Sequence, residues 1–92
     1  MYETKEVKAT VPEVIRNALW IALDNLDNPG FNHRFDLHSV QKNGKPYQRI
    51  IHTQKDSAYR KEHRFELPDP IDDMTVYIIG FGTDGWLMLL PP

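Results

Sequence analysis

The chain has 92 residues, of which 40% are hydrophobic and 26% charged, with a formal net charge of −2. This length and composition are typical of one globular domain spanning residues 1–92. Cysteine is absent, which excludes disulfides, thiolate metal ligands and thiol nucleophiles. No apolar run approaches the roughly 20 residues that a membrane-spanning helix needs, and the charged N-terminus lacks the apolar segment of a signal peptide. We therefore expect a cytoplasmic domain that does not enter a membrane.

The first long element is an amphipathic helix predicted over residues 11–27. Thr10 and Glu13 have the spacing of a capping box, and Pro12 suits a first helical turn because a backbone N–H has no partner there. Apolar residues then recur at three- and four-residue steps, namely Val11, Val14, Ile15, Ala18, Leu19, Ala22 and Leu26. Trp20 lies off this stripe, so we expect it to be covered by a terminal segment of the chain or by a binding partner.

After Gly30 the apolar period changes to two, which predicts strands. Asn43-Gly44 predicts a type I′ hairpin turn, because both residues tolerate a positive φ. This turn pairs Leu37 with Ile50, Phe35 with His52, His38 with Arg49 and Val40 with Tyr47. Further strands are predicted to span residues 59–67, 74–79 and 86–90, with a short edge strand near residues 2–7. The predicted fold class is α+β: one N-terminal amphipathic helix packed on an antiparallel meander sheet of four to six strands.

The last two strands are apolar on both faces, whereas one helix covers only one face of a sheet. Either the sheet curls into a partial barrel or a second copy of the chain packs on the uncovered face. We favour a homodimer acting as a protein-interaction module, in which a further protein partner is also possible. The candidate contact residues are Trp20, Trp86, Met88 and Tyr47.

Charge is sorted along the chain. Residues 28–64 hold eight Lys and Arg against three acidic residues, and residues 65–92 hold five acidic residues and no Lys or Arg. The basic segment contains aromatic residues, so the alternative function is binding of single-stranded nucleic acid. Its candidate contacts are Arg49, Arg60, Lys61, Arg64 and Tyr59, together with Tyr47. Acidic residues alternate with these cations, however, and we favour cross-strand ion pairs as their role.

The remaining motifs do not predict a catalytic, cofactor or metal site. Residues 80–85 match G-x-G-x-x-G, but a strand follows instead of the helix that a dinucleotide site needs. The acidic residues from Asp69 to Asp73 lack the spacing of a calcium loop. His33, His52 and His63 are expected on one face of the sheet, where they are either a metal site, the acid/base pair of a hydrolase, or ordinary sheet histidines. We favour the last of these and expect a protein that is not an enzyme.

The chain also resembles a known family. The segments that carry the resemblance are Val11-Pro12-Glu13-x-Ile15, Leu19-Trp20, Leu23-Asp24, Phe35-x-Leu37, Asn43-Gly44-Lys45, Ile50-Ile51-His52-x-Gln54, Val76-Tyr77-Ile78-Ile79 and Leu87-Met88-Leu89-Leu90-Pro91. Together they resemble the small proteins of the domain-of-unknown-function family 960, which occur in Gram-positive bacteria and staphylococcal phages. The resemblance implies a bacterial or prophage origin and a cytoplasmic location. Because no activity is established for that family, it implies no functional residue.

Overall fold

The computed structural model describes residues 1–27 and 29–92. Within this part of the chain there are two α-helices, six β-strands and one 3-10 turn at Gly82–Asp84. The helices are α1 (Lys5–Thr10) and α2 (Glu13–Asp24). The strands are β1 (Tyr2–Glu3), β2 (Asn32–Lys42), β3 (Lys45–Gln54), β4 (Arg60–Glu66), β5 (Met74–Gly80) and β6 (Trp86–Leu89). The α+β class is confirmed, with a second helix that the sequence did not predict.

The N-terminal region differs most from the prediction. The expected strand near residues 2–7 has only two residues, and α1 begins directly after it because the Thr4 hydroxyl accepts a hydrogen bond from the Val7 N–H at 3.2 Å. Thr10 is the last residue of α1 rather than the cap of the next helix. Helix α2 begins at Glu13 without a side-chain cap and ends at Asp24. The predicted capping box and the helix bounds 11–27 are therefore wrong.

The six strands form one mixed sheet in the order β1-β6-β5-β2-β3-β4. The β1–β6 pair is parallel, and the other four pairs are antiparallel. A meander would place β5 beside β4, but β5 crosses back and pairs with β2. The prediction of an antiparallel meander is thus correct in strand number and wrong in connectivity.

Gln48 fixes this return connection. It is completely buried, its amide nitrogen donates to the Ile71 carbonyl at 2.9 Å, and its amide oxygen accepts from the Ile71 N–H at 2.7 Å. Asp72 accepts a further hydrogen bond from the Ser39 N–H at 3.0 Å. The segment between β4 and β5 therefore has defined hydrogen-bond partners on the central hairpin, which replace the pairing that a β4–β5 hairpin would have provided.

The central hairpin has the predicted register. Asn43 and Gly44 both have positive φ, 53° and 77°, as a type I′ turn requires. The four predicted cross-strand pairs, Leu37 with Ile50, Phe35 with His52, His38 with Arg49 and Val40 with Tyr47, are all present. The hairpin fixes which side chains share a face, and this assigns most of the candidate site residues to one side or the other.

The sheet has one covered face and one uncovered face. Both helices pack on the side that carries Phe35, Leu37, Ile50, Val76, Ile78 and Met88, which form the hydrophobic core with Val7, Val11, Ile15 and Leu19. We call this side the helix face and the opposite side the open face. In residues 1–27 and 29–92 no helix has the length and apolar content needed to cross a membrane.

Candidate functional site

His33 and His52 form a hydrogen-bonded pair on the helix face. His33 Nε2 lies 2.7 Å from the Gly30 carbonyl oxygen, so this nitrogen carries the proton and donates. His33 Nδ1 must then accept, and it lies 2.9 Å from Nε2 of His52, which donates. This assignment makes His52 Nδ1 an acceptor, and within the described residues it has no hydrogen-bond partner. The Gly30 carbonyl therefore sets the tautomer of both rings in the neutral pair.

The surroundings of the pair favour the neutral state. Burial lowers the pKa of His52 to about 4, and the nearby His33, His63 and Lys61 add to the shift. Burial also lowers the pKa of His33, although its hydrogen bond to Gly30 opposes the shift. The rings pack against aromatic side chains, with Phe35 stacked on His52 at a centroid distance of 4.2 Å. The cluster is a polar part of the core rather than a pair poised for proton transfer near neutral pH.

Access argues against a reactive role for this pair. Neither His33 nor His52 has exposed surface, so a substrate cannot touch either ring without opening the core. In the part of the chain described, no three His, Asp or Glu residues are arranged to hold a metal ion. His63 pairs with Ile50, a core residue of the helix face. His33, His52 and His63 therefore lie on one face of the sheet, as predicted.

The predicted nucleic-acid contacts do not form one surface. Arg49, Arg60 and Arg64 lie on the open face, whereas Lys61 pairs with His52 on the helix face and the Tyr59 ring contacts the edge of that histidine. Arg49 and Arg64 both bind Glu62, at 2.9 and 2.8 Å, and the hydrogen bond from Arg49 is the main cause of the lowered pKa of Glu62. The expected ion pairs are therefore present at Arg49, Glu62 and Arg64.

The four predicted interface residues also separate. Met88 is completely buried in the core, and Trp20 is only 8% exposed, so neither is available as a contact residue on this fold. Trp20 is covered by the N-terminal segment, because its indole N–H donates to the Glu3 carboxylate at 2.8 Å. Trp86 is half-buried on the helix face, where it packs against His33. Of the four, only Tyr47 belongs to the open face, through its pairing with Val40.

A different apolar surface lies on the open face. Tyr2 pairs with Leu87, which pairs with Ile79, so these three side chains form a row across β1, β6 and β5. Leu89 is the next residue on the same side of β6, and Phe81 stacks on Tyr2 at a centroid distance of 6.0 Å. We call this set the apolar patch: Tyr2, Ile79, Phe81, Leu87 and Leu89. The two-sided apolar strands were predicted from the sequence, but Tyr2 and Phe81 were not, because the patch joins segments that are distant along the chain.

Comparison with known proteins gives a fold relative without an assigned function. No family model matches the chain, and no curated protein matches it either. The resemblance to family 960 therefore stays a prediction. One solved structure is similar over 98% of this chain and 85% of its own, with a TM-score of 0.70 and 20% sequence identity: the crystal structure of a protein of unknown function from Enterococcus faecalis. At this identity the likeness shows a shared fold and leaves the function to be inferred from surfaces.

Proposed function

We propose that this protein is a cytoplasmic, non-enzymatic interaction module that forms a homodimer through the apolar patch. One observation carries the proposal: four large apolar side chains lie side by side on three adjacent strands of the face opposite both helices, and Phe81, directly after β5, stacks on one of them. Tyr2 is 58% exposed and Phe81 is 41% exposed. Because an aromatic side chain has roughly 200 Å² of surface, these two rings alone expose about 200 Å². A contiguous patch of a few hundred Å² on a small protein often marks an interface.

A second copy is the occupant that the charge distribution favours. Residues 65–92, which supply four of the five patch residues, contain no Lys or Arg that would oppose association of like surfaces. Next to the patch, on β2, the open face carries both signs in Arg34 paired with Asp36, and Arg49 paired with Glu62 lies further along the sheet. A two-fold contact places each surface against its own copy, and a mixed-charge border can complement itself.

The size of the patch sets the expected affinity. A stable dimer buries about 800 Å² on each partner, which exceeds the apolar patch and requires its polar border as well. We therefore expect a dissociation constant in the micromolar range, as is usual for small interfaces with a limited apolar centre.

Sedimentation equilibrium from about 5 µM to 1 mM, a range chosen around a micromolar constant, tests the proposal. Wild type should pass from monomer to dimer, and Leu87→Lys and Tyr2→Lys should remain monomeric throughout. Ile21→Lys is the matched control, because Ile21 is 59% exposed but lies on α2, away from the patch. It should dimerise like wild type. A monomeric wild type at the highest concentration, or a dimer that survives both patch substitutions, would overturn the proposal.

Nucleic-acid binding through the residues predicted from sequence has less support. Those residues divide between two faces, and two of the arginines already hold Glu62. A polyanion surface needs cations that are not neutralised by neighbouring carboxylates.

A further inference from the structure

A shallow depression lies at one end of the sheet, next to the apolar patch. It has a volume of about 330 Å³. Its lining combines Asn32, Arg34, Thr53, Lys55 and Tyr77 with two residues that the register places on the helix face, His33 and Gln54. The strand register places Tyr77, Arg34 and Thr53 in one row across β5, β2 and β3. Arg60 of β4 pairs with Thr53 and extends this row. The depression therefore has an aromatic wall on one side and cations on the other.

Three exposed cations, Arg34, Lys55 and Arg60, surround Thr53 in this corner of the sheet. Arg34 binds Asp36 through its Nε alone, at 3.1 Å, and a guanidinium has four further N–H donors. In residues 1–27 and 29–92, neither Lys55 nor Arg60 has a carboxylate within ion-pair distance. Besides Asp36, this corner contains the acidic residue Asp56, which is exposed in the adjoining turn.

The nearest acid along β4 does not neutralise these cations. Glu62 follows Arg60 on the same side of the strand, but its two oxygens are held by Arg49 and Arg64. Its contacts are thus directed along the sheet, away from Thr53. This arrangement leaves a site where an anionic group can meet Lys55, Arg60 and the remaining donors of Arg34.

The other lining groups suit a planar, polar ring. The phenol ring of Tyr77 is half-buried and provides an aromatic surface. Asn32, on the same face as Tyr77, carries an amide that both donates and accepts hydrogen bonds, as recognition of a base edge requires. The volume is at the lower limit of sites for small organic ligands, which fits one nucleotide and not a larger cofactor.

We propose that this depression binds a nucleotide, with the base on Tyr77 and the phosphate among Arg34, Lys55 and Arg60. The nucleotide is either free or the terminal residue of a single strand, since both present the same chemistry. This site adjoins the proposed dimer surface, because Tyr77 pairs with Leu89 of the apolar patch and Arg34 lies in the polar border of that patch.

Titration of ¹⁵N-labelled protein followed by NMR tests the inference. The probes are adenosine monophosphate, adenosine, inorganic phosphate and a 5′-phosphorylated single-stranded tetranucleotide. Adenosine monophosphate should shift the amides of residues 32–34, 53–55 and 77 in a saturable way, at least tenfold more tightly than adenosine or phosphate. Equal binding of phosphate alone, or no shift with any nucleotide, would overturn the proposal.

Two double variants of equal charge change provide the control. Lys55→Gln with Arg60→Gln should weaken binding about tenfold for each cation removed, because a charge-assisted hydrogen bond contributes about that much. Lys42→Gln with Lys45→Gln, at the opposite end of the hairpin, should bind like wild type. Equal loss in both variants would show a diffuse charge effect and contradict a local site.

The tetranucleotide separates the two sources of the ligand. Binding equal to adenosine monophosphate, with shifts confined to the depression, would support recognition of a strand end. Weaker binding at the same residues would support a free nucleotide. Shifts that continue along Arg49 and Arg64 would instead indicate a surface that follows the strand, and would overturn a single-nucleotide site.

Discussion

Gln48 and His52 are both buried polar side chains on the helix face, and they differ in how completely they are hydrogen-bonded. The Gln48 amide uses its nitrogen and its oxygen on Ile71, and its nitrogen also reaches the His38 carbonyl at 3.1 Å. His52 bonds to His33 through Nε2 but leaves Nδ1 without a partner in the described residues. A satisfied buried amide stabilises the fold, whereas an unsatisfied ring nitrogen makes the fold sensitive to protonation.

Gln48→Met removes the side-chain bonds to Ile71 while keeping a similar length and volume. Because the Ile71 N–H and carbonyl would lose these partners, we expect the free energy of unfolding to fall by about 2–3 kcal/mol. Urea denaturation measures this change. Gln41→Met, on an exposed position of the same hairpin, is the control and should change stability by less than about 0.5 kcal/mol. A small effect at Gln48 would show that the return connection is held by other contacts.

His52 should make stability depend on pH in the mildly acidic range. Its folded pKa is about 4, below the ordinary value of 6.5, so between these values the unfolded chain binds a proton that the folded chain does not. Its contribution to stability is therefore complete above pH 6.5 and is lost as the pH falls to 4, by about 3 kcal/mol. Urea curves from pH 7.5 to 4 measure it. His52→Leu should flatten this dependence more than His38→Gln, which removes a histidine from the open face.

At the scale of elements, local chemistry predicted the central hairpin and failed at the N-terminus. Asn43-Gly44 sets both the turn and the register, so the common face of His33 and His52 followed directly from the sequence. For α2, the cap predicted at Thr10 was wrong, because the residue before Pro12 interrupts the helix. Val11 is extended, with φ −106° and ψ 117°, as expected before proline, and this separates α1 from α2.

The β5 crossover and the burial of the histidines were not predictable in the same way. Both depend on tertiary contacts: Gln48 with Ile71, and the stacking of Phe35 on His52. Alternation along a strand shows which residues share a face, but it does not show which strands are neighbours or how deeply a face is covered. The place of Tyr2 and Phe81 in the apolar patch was not predicted either, because it also depends on which strands are neighbours.

The observed cap of α1, Thr4, and the cap predicted from the sequence, Thr10, can be compared by substitution. Thr4→Ala removes the hydroxyl that accepts from the Val7 N–H and should lower the free energy of unfolding by about 1 kcal/mol. Thr10→Ala, at the exposed end of α1, should change it by less than about 0.5 kcal/mol. Thermal unfolding of both variants in one buffer gives the comparison. The reverse order of effects would restore the capping box predicted from the sequence.

At the scale of the whole molecule, both ends of the chain meet in the sheet. Residues 2–3 pair in parallel with residues 87–88, and the Glu3 carboxylate bonds both Trp20 and Arg16, at 2.8 and 3.0 Å. The N-terminal strand thus links α2 on the helix face to the apolar patch on the open face through Tyr2. The ion pairs of the open face lie within the basic segment 28–64, because Arg34 binds Asp36 and both Arg49 and Arg64 bind Glu62.

Removal of residues 1–3 should therefore expose Trp20 and destabilise the whole fold. In a Trp86→Phe background, where Trp20 is the remaining tryptophan, we expect its fluorescence to shift to longer wavelength and to become more accessible to acrylamide. The loss of the Glu3 bonds and of the β1–β6 pairing should lower the free energy of unfolding by about 2 kcal/mol. Tyr2→Ala in the same background keeps Glu3 and should leave the Trp20 emission unchanged. An unchanged emission in the deletion variant would mean that Trp20 is covered by other parts of the chain, and that the N-terminal strand serves the open face alone.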